Sequence, residues 1–335
     1  MEVSMLTIRS RALALPLGAL LALLIGGCAQ APRPAAPRPA SAKAAPAAPA
    51  PAAATAPAAA SLAATAATAS TAAAPAADVV LRFAAYGDTR DGHDVHRTIV
   101  ANVMRFQPAL VLQTGDLVHH GSSAEEWKVF DDITGAMRQQ IAYYPARGNH
   151  DVAAEGYYEQ RVTQPVLSGN KLYYSLEKGS LHFVAIDTQQ PLGPESDQGR
   201  WLEADLAQAE AAGRFIVPFF HQAIFSVGRH AIESDVLEDK AILHPLFRHH
   251  GVRLAFEGHD HLYYRTVRDG ITYVVTGGGG APLYQREHPE VGRPEDVYKS
   301  VNHFCIVDVH AGRIVVNAYE SDLTPLDHFE VALAN

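Results

Sequence analysis

Residues 29–77 are nearly all Ala and Pro with some Ser and Thr, and they include no acidic residue. A stretch with almost nothing large to bury cannot offset the entropy lost on ordering. The sequence therefore predicts an extended, partly polyproline tether, whose contour approaches ~150 Å at ~3.1 Å per residue. What folds is confined to 78–335, roughly 258 residues, enough for one large α/β domain with a well-buried core. Five of the 27 basic residues precede Asp78, as does one of the 36 acidic residues, so the body carries 22 basic against 35 acidic residues, a net of −13. Such a surface repels polyanions within a Debye length, which argues against nucleic acid as a partner, although a local cationic site can still hold one small anion. The only cysteines, Cys28 and Cys305, lie in segments of very different character, so the fold does not rest on a disulfide framework.

The first 28 residues read as a leader. Arg9 and Arg11 precede an apolar run over 12–25, shorter than the ~20 residues that a membrane-spanning helix needs. The run ends in Leu24-Ile25-Gly26-Gly27-Cys28, which resembles the lipobox of bacterial lipoproteins. That resemblance implies an acylated Cys28, an exported protein held to a membrane by its N-terminal lipid, and, with Ala at position 29, the outer membrane of a two-membrane cell. Cleavage after small residues without lipidation is the alternative.

Along the body, β-rich runs alternate with helical periodicity. The run 79–86 stops at Gly87-Asp88, and Val95, Ile99, Val103 and Phe106 then recur at helical spacing. The run 109–113 ends at Gly115-Asp116 before a helix around 125–137, and 141–146 ends at Gly148-Asn149-His150-Asp151. Farther on, 172–176 and 181–186 flank Lys178-Gly179-Ser180 as a hairpin, a helix spans about 199–212, and 215–220 ends at His221. A helix near 238–250 stops before Gly251, 252–256 ends at Gly258-His259-Asp260-His261, and the tail is rich in hairpins with turns at Gly270 and Gly312. The pattern predicts an α/β fold of two mixed sheets packed as a sandwich with helices outside.

Five motifs thus place a metal-capable residue just after a strand. Oxygen and imidazole ligands gathered at one sheet edge suit two cations of the Zn, Mn or Fe kind, and the thiolates of a structural zinc site are missing. Together the motifs resemble the calcineurin-like metallophosphoesterase superfamily over 79–320, and within it the purple acid phosphatase branch, aided by the Thr-Gly-Gly-Gly-Gly-Ala stretch at 276–281. The resemblance implies that Asp116 bridges two divalent or mixed-valence ions, with Asp88 and His261 completing one site and Asn149, His221 and His259 the other. Two divalent cations set against two carboxylates and a bridging hydroxide leave such a cluster at about +1, attractive to a phosphate ester despite the acidic body. His150 is then the proton donor or transition-state contact, with Asp151 orienting its ring. The implied activity is hydrolysis of small phosphate esters, monoesters ahead of diesters. A phosphodiesterase on the same fold and a catalytically silent phosphate- or cell-wall-binding lipoprotein are the rivals.

Two positions depart from the family pattern. Where many diesterases have Gly-Asp-x-His, this chain has Gly87-Asp88-Thr89-Arg90, and Arg90 either contacts phosphate or makes a surface salt bridge. Where purple acid phosphatases supply a tyrosine ligand, this chain has His119, read as a metal ligand, a substrate contact or a loop histidine. His249 and His250 read first as cations at a helix C-terminus, Trp127 and Trp201 as core anchors, Asp187 as a turn residue and Cys305 as a buried thiol. One of Tyr263 and Tyr264 is expected to line the pocket.

Overall fold

The computed structural model describes residues 78–333. The leader with Cys28 and the Ala/Pro segment, which carry the readings of export and tethering, lie outside the described residues. In chain order come β1 (Leu81–Tyr86), α1 (His93–Phe106), β2 (Leu110–Gln113), α2 (Ala124–Arg138) and β3 (Ala142–Pro145). They are followed by β4 (Ser168–Gly169), β5 (Tyr174–Lys178), β6 (Leu181–Ile186), α3 (Asp197–Ala211), β7 (Phe215–Phe220), α4 (Ser234–His249) and β8 (Leu254–Glu257). The tail adds β9 (Tyr263–Arg268), β10 (Ile271–Thr276), β11 (Val297–Lys299), β12 (His303–Val309), β13 (Arg313–Glu320) and β14 (Pro325–Ala332).

The strands form two mixed sheets, ordered β14-β13-β12-β1-β2-β3 and β11-β9-β10-β8-β7-β6-β5-β4. In the first, β1, β2 and β3 run parallel, and in the second β6, β7, β8 and β10 do. Strands covered on both faces read as continuous apolar runs, and β7 (Phe-Ile-Val-Pro-Phe-Phe) is buried throughout. The sheets meet through side chains such as Phe83, whose ring lies edge-on to Phe183 at 5.2 Å and to Phe256 at 6.1 Å. Helices α1 and α2 cover the first sheet, burying Ile99, Val103, Trp127 and Phe130. On the second, Leu202, Leu206, Leu243 and Phe247 of α3 and α4 pack over Ile186 and Phe220. Two helices start on serine caps: Ser123 accepts from the Glu126 amide at 3.2 Å, and Ser196 from the Gly199 amide at 2.9 Å.

The sandwich flanked by helices is the fold the sequence predicts. Three details differ. Helix α4 begins at Ser234 rather than near 238, β14 was not anticipated, and two short strands, β4 and β11, extend the edges of the second sheet. Trp127 and Cys305 are buried, and the Cys305 thiol is pushed up to about 12 by its burial. Asp187 is a buried turn residue, paired with Arg147 at 2.5 Å and accepting from the Gln189 amide. Among the described residues no helix is long and apolar enough to cross a membrane.

Candidate metal centre

Every strand that feeds the candidate site delivers its residue at the C-terminal end, where parallel α/β sheets collect their ligands. Asp88 follows β1, Asp116 follows β2, Asn149 and His150 follow β3, His221 follows β7, and His259 and His261 follow β8. The loops are tied to one another by backbone: the Asp88 amide donates to the Gly115 carbonyl at 2.9 Å and the Thr89 amide to the Asp116 carbonyl at 3.0 Å. Asp88, Asp116 and His259 hold left-handed backbone, with φ of 57°, 56° and 67°. Such conformations cost ~1–3 kcal/mol each and persist where the surroundings over-determine them, as at functional sites. At Gly148 a side chain is excluded, because a Cβ there would lie 2.2 Å from Asp116 Oδ1. The glycine stretch after β10 also comes close: a Cβ on Gly277 would meet Asp88 Oδ2 at 2.9 Å.

The side chains converge in two groups. Asp88, Asp116 and His261, all buried, each offer one ligand atom within 4.8 Å of the others. Beside them, His221 Nε2 lies 3.0 Å from Asn149 Oδ1, 3.1 Å from His259 Nδ1 and 3.3 Å from Asp116 Oδ1. Asp116 therefore borders both groups.

The chemistry of this donor set fits cations. His221 Nδ1 lies 2.9 Å from the Thr114 carbonyl and His261 Nδ1 lies 2.7 Å from the Pro282 carbonyl, so each ring donates there and turns its Nε2 lone pair inward. This is how backbone carbonyls orient metal-binding imidazoles. Burial keeps the rings neutral: it lowers the pKa of His221, drives that of His261 down to about 3, and holds His259 well below the usual range, aided by the neighbouring His221 and His230. Burial, then the nearby Asp116 carboxylate, pushes the Asp88 carboxyl well above its ordinary value. Buried carboxylates this close repel one another unless positive charge joins them. His259 Nε2 is buried without a hydrogen-bond partner.

Arg90 supplies positive charge here. Its guanidinium is buried, with Nε 3.3 Å from Asp116 Oδ2, Nη1 2.8 Å from Asp91 Oδ2 and Nη2 3.5 Å from His261 Nε2. It is thus part of the site wall, and the reading of a surface salt bridge is corrected. His119 is not drawn into either group: its ring is partly exposed, with Nδ1 3.0 Å from Asp91 Oδ2. Its backbone carbonyl is engaged instead, accepting from His150 Nδ1 at 2.7 Å. That bond corrects the expectation for Asp151. The Asp151 carboxylate is buried and accepts backbone amides from Asp116 (3.0 Å), Leu117 (2.8 Å), Val118 (3.3 Å) and Gly148 (2.9 Å), so it clasps two ligand loops together and does not touch the His150 ring.

A cavity of about 80 Å³ opens on this cluster, lined by Arg90, Asp116, Asn149, His150, His230, His259, His261 and Tyr284. Two of these were missed in the sequence. His230 stacks on His259 at 4.0 Å between ring centroids, and Tyr284 stacks on His261 at 4.1 Å. Tyr263 and Tyr264 do not line the cavity. They are buried and donate to Asp327 and Asp296.

A helix-flanked double sheet with clustered carboxylates and imidazoles at the strand ends defines a metallophosphoesterase fold and site. The chain belongs to the calcineurin-like phosphoesterase family, whose model matches residues 81–263. Members of this family are usually metal-dependent phosphoesterases with a dimetal centre. Among curated proteins, the chain is 26% identical over 241 residues to purple acid phosphatase 18 of Arabidopsis thaliana, covering 64% of this chain and 54% of that one. It is 24% identical over 241 residues to purple acid phosphatase 1 of Ipomoea batatas, covering 64% and 49%. The chain thus spans about half the length of the curated relatives it matches. Among solved structures, the yellow lupin purple acid phosphatase PPD1 superposes with a TM-score of 0.64 at 18% identity, over 75% of this chain and 53% of that one. GAP50, described as the anchor in the inner membrane complex of Plasmodium, superposes with a TM-score of 0.62 at 17% identity, over 76% and 89%. At these identities the likeness extends to the fold.

Proposed function

We propose that this chain is a phosphatase that hydrolyses small phosphate monoesters at a dinuclear metal centre. The observation that carries the reading is the pair of ligand groups meeting at Asp116, with His150 beside them on the cavity wall. Asp88, Asp116 and His261 would hold one cation, and Asp116, Asn149, His221 and His259 the other. When bound, the cations supply Lewis acidity and an activated water. The chain's own residues do the rest. Arg90 presents a guanidinium suited to the phosphate oxygens, and His150, anchored through Nδ1 to the His119 carbonyl, keeps Nε2 for the leaving oxygen.

Protein purified without added metal is expected to carry Fe, Zn or Mn, and to hydrolyse model monoesters faster than matched diesters. Faster diester hydrolysis would convert the reading to a phosphodiesterase. Full metal content with no hydrolysis of any ester would leave a silent binding protein.

The same proposal places the protein outside the cytoplasm, held through Cys28 to the outer membrane and facing the periplasm, with the 29–77 segment as a leash. Cys28→Ser is expected to release the protein from the membrane fraction or block its processing, because one thiol carries the proposed anchor. Fractionation that shows unchanged membrane association and processing would discard the lipid anchor.

A further inference from the structure

On the outer side of the second sheet, helices α3 and α4 bring together a second set of ligands that the phosphoesterase reading does not use. His250 caps the C-terminus of α4, just before β8, and so lies toward the N-terminal ends of the strands whose C-terminal ends build the candidate centre. Its ring is buried between two carboxylates of α3. Nδ1 lies 2.8 Å from Glu210 Oε2, so the ring donates its proton there. Nε2 is buried and without a hydrogen-bond partner. It faces Glu203 Oε1 at 3.4 Å, close enough to feel the charge but not aligned to share a proton. His249, the last residue of α4, completes the set: one atom each from Glu203, His249 and His250 lies within 4.8 Å of the others.

An unpartnered Nε2 buried beside the exposed Glu203 carboxylate favours positive charge at this position, and a cation there is within reach of Glu203 and His249 as well. The carboxylate–imidazole pair of Glu210 and His250 is the arrangement that fixes a tautomer and raises ligand basicity in zinc proteins. The C-terminal end of the α4 dipole adds further attraction for positive charge. Two imidazoles and one carboxylate favour zinc over the hard cations Mg²⁺ and Ca²⁺, which prefer all-oxygen shells. Around a tetrahedral zinc, ligands at ~2.0–2.1 Å stand about 3.3 Å apart, so the exposed Glu203 and His249 side chains need only a small inward rotation. We propose that Glu203, His249 and His250 form a zinc site, with Glu210 holding the His250 ring, that staples α3 to α4 on the outer layer.

The test compares full-length protein with His249→Ala and Glu203→Gln, both at exposed side chains that leave the core intact. Each is dialysed against buffered zinc, and bound metal is counted alongside phosphate-ester hydrolysis. The wild type is expected to hold one more zinc per chain than either variant, with hydrolysis unchanged. Repeating the comparison in an Asp116→Asn background should preserve that difference, which keeps this site separate from the fate of the candidate centre. Equal zinc content in wild type and both variants would overturn the proposal and leave His250 as an ion-pair partner of the two glutamates. A loss of hydrolysis paralleling the loss of zinc would overturn it too, by returning the missing ion to the centre.

Discussion

Asp116→Asn is expected to lower bound metal at the centre and phosphate-ester hydrolysis together, the latter by more than ~10²-fold. Losing an outer-shell partner of a metal site already costs ~10–100-fold, and Asp116 borders both ligand groups. Asparagine is the informative replacement. It keeps the shape of the residue and tolerates the left-handed backbone that Asp116 adopts at φ 56°, whereas alanine would add strain to the loss of charge. It also preserves the Asp116 amide that Asp151 accepts, and hence the clasp between the loops after β2 and β3. Metal analysis and ester hydrolysis on the same preparation decide the matter. A variant that keeps its full metal content while losing activity would show that Asp116 does not bridge, and each ligand group would then stand alone.

How much of this site the sequence shows depends on how local the signal is. The ligand positions are legible because parallel strands buried on both faces read as unbroken apolar runs, and a run such as β7 ends abruptly at its first polar residue, His221. The glycines of the motifs carry a second local signal, since Gly148 has room for no side chain beside Asp116. His230 and Tyr284 carry neither. Each lies in an irregular loop and reaches the cavity only because the fold stacks it on His259 or His261. Strand β14 is hidden for a related reason: Asp327 breaks an otherwise simple apolar alternation, and its purpose, accepting from Tyr263 and Arg265, is visible only across strands. The direction of a hydrogen bond is likewise beyond sequence. Asp151 follows His150 in the chain and looks like its orienting partner, yet four backbone amides take up its oxygens and a backbone carbonyl holds the ring.

His150→Ala is expected to retain the metals and lose ~10² to 10⁴ in turnover, the contribution of a positioned general acid. The geometry separates this residue from the ligand groups. His150 Nε2 is 3.9 Å from Asp116 Oδ2, its Nδ1 is bound to the His119 carbonyl, and the side chain is about a quarter exposed on the cavity. Its amide donates to Asp116 Oδ1 at 3.1 Å, a contact that alanine keeps. The charge that develops on the leaving oxygen sets how much a proton donor is worth, so the penalty should depend on the substrate. Esters of poorly acidic alcohols should show the full loss, and aryl esters with acidic leaving groups a much smaller one. A uniform loss across that series would place His150 in ground-state or transition-state binding of the phosphoryl group, and loss of metal in His150→Ala would move it among the ligands.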